Sequence, residues 1–195
     1  MDFIKFAGRF VLLSLLFFSS CSIVNQGKEF KNLFHCKYAL KDVKILSVGG
    51  VDVSKMGKGD ELPSDVYFTL LKKMFSQDIN SEFKFDIEVY NPMEKPAGSQ
   101  GMEWKMFIKD EMFSEGMVDS AIFVEPKGKG HFWVKADINL FKLLNNISLP
   151  QLMNVLNDND WQKVWEESEL EIKLKPWYKS GSKVKKYPGY ISFKP

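Results

Sequence analysis

Glu82, Asp86 and Glu88 fall at even positions of one extended run, so their carboxylates would project from a single face of a strand. Such a row could pair a general acid with a general base. An outward, hydrated sheet face explains the same spacing without chemistry. His35 stands beside Cys36 and His131 lies far along the chain, which falls short of the three or four ligands of a zinc centre. The Gly57-Lys58 pair has no glycine five positions earlier and no Ser or Thr after it, so a phosphate loop is rejected. A Gly-x-Ser-x-Gly nucleophile elbow is also missing. These patterns offer no catalytic set, no cofactor site and no metal site, and the chain reads as non-enzymatic.

Aromatic rings interleaved with lysine are the better chemical signal. Trp133 sits on the polar phase of its strand between His131 and Lys135, and Phe107 does the same between Lys105 and Lys109. Rings so placed could grip a sugar, a headgroup or a partner, or could be buried under a second layer. Toward the C-terminus Lys173, Lys175, Lys179, Lys183, Lys185 and Lys186 alternate with Trp177, Tyr178 and Tyr187. This basic segment is the best candidate for contact with anionic lipid or glycan, with a solvated loop as the plain alternative. Of the 27 basic residues all but Arg9 are lysine, and the net charge is +2. Arg9 lies in a segment expected to be removed, and a mature chain without a guanidinium fork lacks bidentate reading of phosphate or guanine, which argues against sequence-specific nucleic-acid binding; no nucleic-acid partner is expected.

The N-terminus carries an address. Lys5 and Arg9 precede a nine-residue, largely apolar run from Phe10 to Phe18, and Ser19-Ser20-Cys21 closes it. The run is too short for a hydrocarbon layer, which takes about 20 residues, and it has the layout of a signal peptide. Phe18-Ser19-Ser20-Cys21 resembles the lipobox of bacterial lipoproteins, which implies that residues 1–20 are removed and that Cys21 is lipidated. The resemblance predicts an exported protein held on a membrane of the cell envelope by acyl chains. The alternative is an ordinary secretory signal. Cys36 is expected as a small buried hydrophobe; a Cys21–Cys36 disulfide opens only if Cys21 is not acylated.

The elements that would position these residues read as strands. Residues 21–37 look like a tether, though the helical spacing of Phe30, Leu33 and Phe34 leaves open a short turn packing on the domain, and residues 38–195 look like one domain. A domain of that size buries about 70% of its unfolded surface and needs no disulfide. Tyr38 to Val48 is a strand whose phase slips between Ile45 and Leu46, as a bulge would make it, and Gly49-Gly50 then allows a kink. Asp65 to Phe75 is apolar on both faces; a short helix fits as well as a central strand, and strand is the assignment. Glu82 to Tyr90 and Gly101 to Lys109 alternate cleanly and are expected to lay their apolar faces on one layer of a sheet. Pro92 ends the first. Met117 to Val124 extends, Glu125 to Gly130 reads as a hairpin loop, and His131 to Ile138 returns. Leu140 to Leu156 shifts to helical spacing, with a capping box at Ser148 to Gln151. Trp161, Val164 and Trp165 form either a turn of helix or a strand entry. Leu170 to Leu174 alternates, Pro176 closes that strand, Lys179 to Lys186 is a basic loop, and Gly189 to Lys194 is the last strand. The expected architecture is mainly β, an antiparallel β-sandwich with a short helical insertion.

The order of these parts resembles the late-embryogenesis-abundant type 2 family, also called the water-stress and hypersensitive-response domain. The residues that carry the likeness are the strand into Asn91-Pro92, the strand Met102 to Ile108, the Phe113-Ser114-Glu115-Gly116 step, the run to Val124, the glycine-containing loop after Pro126 and the segment Leu140 to Leu156. The resemblance implies an immunoglobulin- or fibronectin III-like sandwich without catalytic residues. It implies a binding or stress-protective role, with an envelope protein or lipid as partner. Enclosure of a hydrophobic ligand within the sandwich is the runner-up.

Overall fold

The computed structural model describes residues 29–56, 60, 63–77, 79–143, 161, 164–165, 168–180 and 182–195. The signal segment, Cys21, and the capping box at Ser148 with the helix it opens lie outside the described residues. The protein is mainly β, and among the described residues every pairing of strands is antiparallel. One sheet takes β1 (Lys37–Val48), β2 (Val51–Asp52), β3 (Asn80–Tyr90) and β8 (Lys129–Asn139) in the order β2-β1-β3-β8. A second takes β5 (Gly101–Ile108), β6 (Glu111–Val118), β9 (Leu170–Ser180) and β10 (Lys183–Lys186) in the order β10-β9-β5-β6, and β11 (Ile191–Phe193) also pairs with β9. β4 (Ala97–Ser99) and β7 (Ile122–Val124) form a small third ladder.

Alternation explains the two large sheets. In β3 and β8 the register sets Phe83 against Ala136, Phe85 against Val134 and Ile87 against Phe132, all buried on one face. Met102, Trp104, Met106 and Ile108 of β5, with Leu170, Ile172 and Leu174 of β9, are buried into the same cluster from the second sheet. Helical residues Trp161 and Trp165 fill this core edge-on, with ring centroids 4.8 and 5.4 Å from Phe83. In β1 two register shifts, one between Leu40 and Asp42 and one between Ile45 and Ser47, keep Leu40, Val43, Ile45 and Val48 all inside despite their uneven spacing. The second shift falls at the expected phase slip. Gly49 and Gly50 follow with φ of 58° and 86°, a left-handed turn that side chains disfavour.

Several expectations are corrected. Residues Ser64–Phe75 form a helix, α1, rather than a strand. A strand would put Val66 and Phe68 on one face; the helix buries Val66 and leaves Phe68 69% exposed. The strands β3 and β5 do not share a sheet: the chain crosses from one sheet to the other between them. The Glu125 to Gly130 loop likewise joins strands with different partners, β7 with β4 and β8 with β3, so it is a crossing and not a hairpin. Pro176 does not end β9, which runs on to Ser180. Its carbonyl accepts from Tyr187 N at 3.1 Å, so its missing amide faces the gap between β10 and β11 rather than a ladder. The supposed basic loop is then a hairpin of β9 with β10. The helical insertion begins with α2 (Leu140–Leu143), and Asn139 Oδ1 accepts from Phe141 N at 2.9 Å at its start.

Candidate binding surface

Asn91, fully buried, fixes the crossings that carry the chain between sheets. Its side-chain amide donates to the carbonyls of Lys95 (2.8 Å), Glu125 (3.1 Å) and Val124 (3.3 Å), and its Oδ1 accepts from Met93 N (3.0 Å). One side chain thus ties the segment leaving β3 to the segment entering β8. The Asn-Pro step read in the sequence as a strand end is the clamp of both crossings.

The segment expected as a tether belongs, from residue 29, to the fold. Residues 29–32 are helical and continue into a 3-10 turn, Leu33–His35. Phe30 and Leu33 are buried at the expected helical spacing. The Phe30 ring meets Tyr178 edge-on at 5.0 Å and Tyr187 at 5.6 Å, and Phe34 stacks on Tyr187 at 3.5 Å. Asn32 Nδ2 donates to Pro96 O at 2.8 Å, and Tyr38 Oη to Leu33 O at 2.9 Å. This turn is therefore bolted to the β9–β10 hairpin by three aromatic contacts.

Within that hairpin the register pairs Lys183 with Ser180, Val184 with Lys179, Lys185 with Tyr178 and Lys186 with Trp177. Paired residues share a face, so Tyr178, Lys183 and Lys185 lie on the side that Phe30 covers, and Trp177, Lys179, Val184 and Lys186 on the other. Trp177 is only 7% exposed and rests over Gly101, where a Cβ would come within 2.2 Å of the indole. Its ring is packing, not contact surface. Lys186 is engaged with Glu103. Lys183, Lys185 and Val184 remain exposed, with Lys185 above Tyr178 at 6.0 Å and Lys179 above Trp177 at 5.8 Å.

The other two aromatic candidates stand apart on different sheets. Trp133, 39% exposed on the solvent face of β8, carries the Lys84 ammonium 3.9 Å above its ring. Phe107 is part-buried on β5 with Lys173 at 4.3 Å. Each ring already has a cation on its face. The structure does not bring them together with the hairpin.

The carboxylate row on β3 is paired along its length. Glu82 meets Lys135 at 3.1 Å, Asp86 meets His131 Nδ1 at 3.1 Å, and Glu88 meets Lys129 at 3.2 Å and Lys41 at 3.4 Å. Loss of hydration tends to raise the Glu88 carboxyl, but hydrogen bonds and charge from Lys129 and Lys41 outweigh it and hold the group below its ordinary value. Glu171 is held low chiefly by a hydrogen bond from Ser192, with Lys173 beside it. Cys36 is a buried free thiol, pushed up to about 11 by burial, and so has little thiolate at neutral pH. Among the described residues no group of three or more His, Cys, Asp or Glu could hold a metal ion. Beside the hairpin, Glu29, Ser99, Gln100, Phe123 and Tyr178 line a half-open pocket of about 150 Å³, below the roughly 300–1,000 Å³ of ligand cavities.

Phe30, Phe34 and Val184 also belong to this region. The helical spacing of Phe30, Leu33 and Phe34 was the available signal; Val184 had none, because a strand with lysines on both faces shows no alternation.

No family model matches the chain, and no curated protein matches it. Among solved structures it is similar to a protein from Archaeoglobus fulgidus, at 14% identity over 80% of this chain and 98% of that one, with a TM-score of 0.31. It is also similar to a target of the Northeast Structural Genomics Consortium, at 10% identity over 81% of this chain and 83% of that one, with a TM-score of 0.37. Neither likeness is close enough to carry a function across. The class defined by the pairings is a mainly β, antiparallel fold.

Proposed function

We propose that the protein is an exported lipoprotein of the cell envelope, acylated at Cys21, whose single domain serves as a non-enzymatic binding or stress-protective module. The observation that carries this reading is where the core takes hold. Phe30 and Leu33 are its first described buried residues, nine and twelve positions after Cys21, so the described fold takes hold soon after the proposed acylation site. The described sheets, crossed by connections clamped at Asn91, are compatible with an immunoglobulin- or fibronectin III-like sandwich of the late-embryogenesis-abundant type 2 kind, and that finer assignment is part of the proposal. The indoles of Trp161 and Trp165 occupy the space between sheets where a carried hydrophobic ligand would sit, which favours binding at the surface over carriage.

Mass spectrometry of the mature protein should find acyl chains on an N-terminal Cys21, and Cys21→Ser should move the protein from the membrane to the soluble fraction. Unchanged membrane attachment of Cys21→Ser would sink the lipoprotein reading.

A further inference from the structure

The hairpin and the anchor are not independent. Glu29 is eight positions after Cys21, a span of at most about 28 Å when fully extended. Phe30, next in the chain, is packed on Tyr178 and Tyr187, the aromatic residues of the hairpin and its exit. A membrane that holds Cys21 therefore holds the hairpin near its surface, whatever path the intervening residues take.

What the hairpin presents suits that neighbour. Lys179, Lys183 and Lys185 are exposed, and among the described residues no carboxylate forms an ion pair with them. Lys186, which Glu103 neutralises, is excluded from the set. Lys31 adds an exposed cation from the docked turn itself, against the partly exposed Glu29. Val184, 51% exposed, stands on the opposite face of β10 from Lys183 and Lys185, paired with Lys179. A hairpin end with unpaired lysines on both faces and one exposed apolar side chain suits the interface of an anionic bilayer, where lysines reach phosphates and the apolar group enters the headgroup layer. Several other lysines are paired: Lys135 with Glu82, Lys105 with Glu115, Lys127 with Glu94 and Lys129 with Glu88.

We infer that the tip of the β9–β10 hairpin is a second membrane contact, by which the domain lies against the anionic phospholipid surface that bears its own anchor. The inference rests on lipidation of Cys21, which sets the proximity. Tethering raises the local concentration of lipid, so a contact too weak to recruit a free protein is sufficient to orient an anchored one.

The test uses the full chain with Cys21→Ser, so that the hairpin alone is read. Sedimentation compares vesicles of phosphatidylcholine with vesicles one third phosphatidylglycerol. The protein should prefer the anionic vesicles, lose that preference in about 0.5 M salt, and lose about a hundredfold in affinity when Lys179, Lys183 and Lys185 are all changed to Gln. On the vesicles, amine-reactive labelling should be blocked at Lys183 and Lys185 and continue at Lys44, on the first sheet. Equal binding by parent and triple variant, or equal labelling at all three lysines, overturns the inference. So does sedimentation with an anionic wall polymer in place of vesicles. Absence of acyl mass on Cys21 instead overturns the proposed function, and the vesicle result is read apart from it.

Discussion

The carboxamide of Asn91 has two hydrogens and three carbonyls in reach, and all of them are near or below the surface. Truncation takes this donor from all three carbonyls and leaves Glu125 O with Gly128 N alone, where water does not replace the amide easily. Asn91→Ala should cost about 2–4 kcal/mol, a fall of roughly 5–12 °C in melting temperature for a domain of this size. A change below about 2 °C on calorimetry would show that the amide is not a clamp. Part of this was legible in the sequence. The proline after Asn91 announces that the strand stops, because it has no amide to give. The acceptors of Asn91 lie 33 and 34 residues away, and no local pattern points to them. Cys36 was legible in part: it was expected as a small buried hydrophobe and is buried, while the disulfide left open in the sequence is not formed at this residue.

Among the elements, facing indoles and glycines do the close packing of the second sheet. Trp104 lies opposite Gly116 and Trp177 opposite Gly101, and a Cβ at either glycine would come within 2.5 Å of the ring it faces. Gly101→Ala should destabilise by about 1–3 kcal/mol through overpacking. Combining it with Trp177→Leu should return part of that loss, measured as a coupling in denaturant titrations; strictly additive effects would refute the contact. Strands β3, β5 and β8 were legible because each buries one face, and period two records which residues go inside. Which strand lies beside which was not, since alternation marks a face and not a neighbour. That is why β3 and β5 were placed together although they belong to opposite sheets. α1 was misread because its apolar residues satisfy both periods, and β10 because it satisfies neither.

For the whole molecule, paired charges on both sheets, Glu88 on β3 and Glu171 on β9 among them, set its response to acid. Glu88 and Glu171 are held below the ordinary carboxylate value of 4.5. A carboxylate lowered in the fold adds stability above its unfolded value, and that stability is lost as pH falls through the folded value. The melting temperature should therefore hold near neutrality and decline below about pH 4.5. Glu88→Gln should flatten the decline between about pH 5 and pH 3 without steepening it anywhere; an unchanged slope would remove Glu88 from the account.

The two crossings meet at one amide, and the partners of that amide come from β3's exit and from β7 and its exit toward β8. The amide is satisfied only once both passages between sheets are complete. Neither sheet can then persist as a separate half-folded body, and the domain is built to open all at once. In the membrane-fastened protein proposed above, that would keep strand edges and indoles from lingering, partly unwrapped, beside neighbours fastened to the same sheet of lipid.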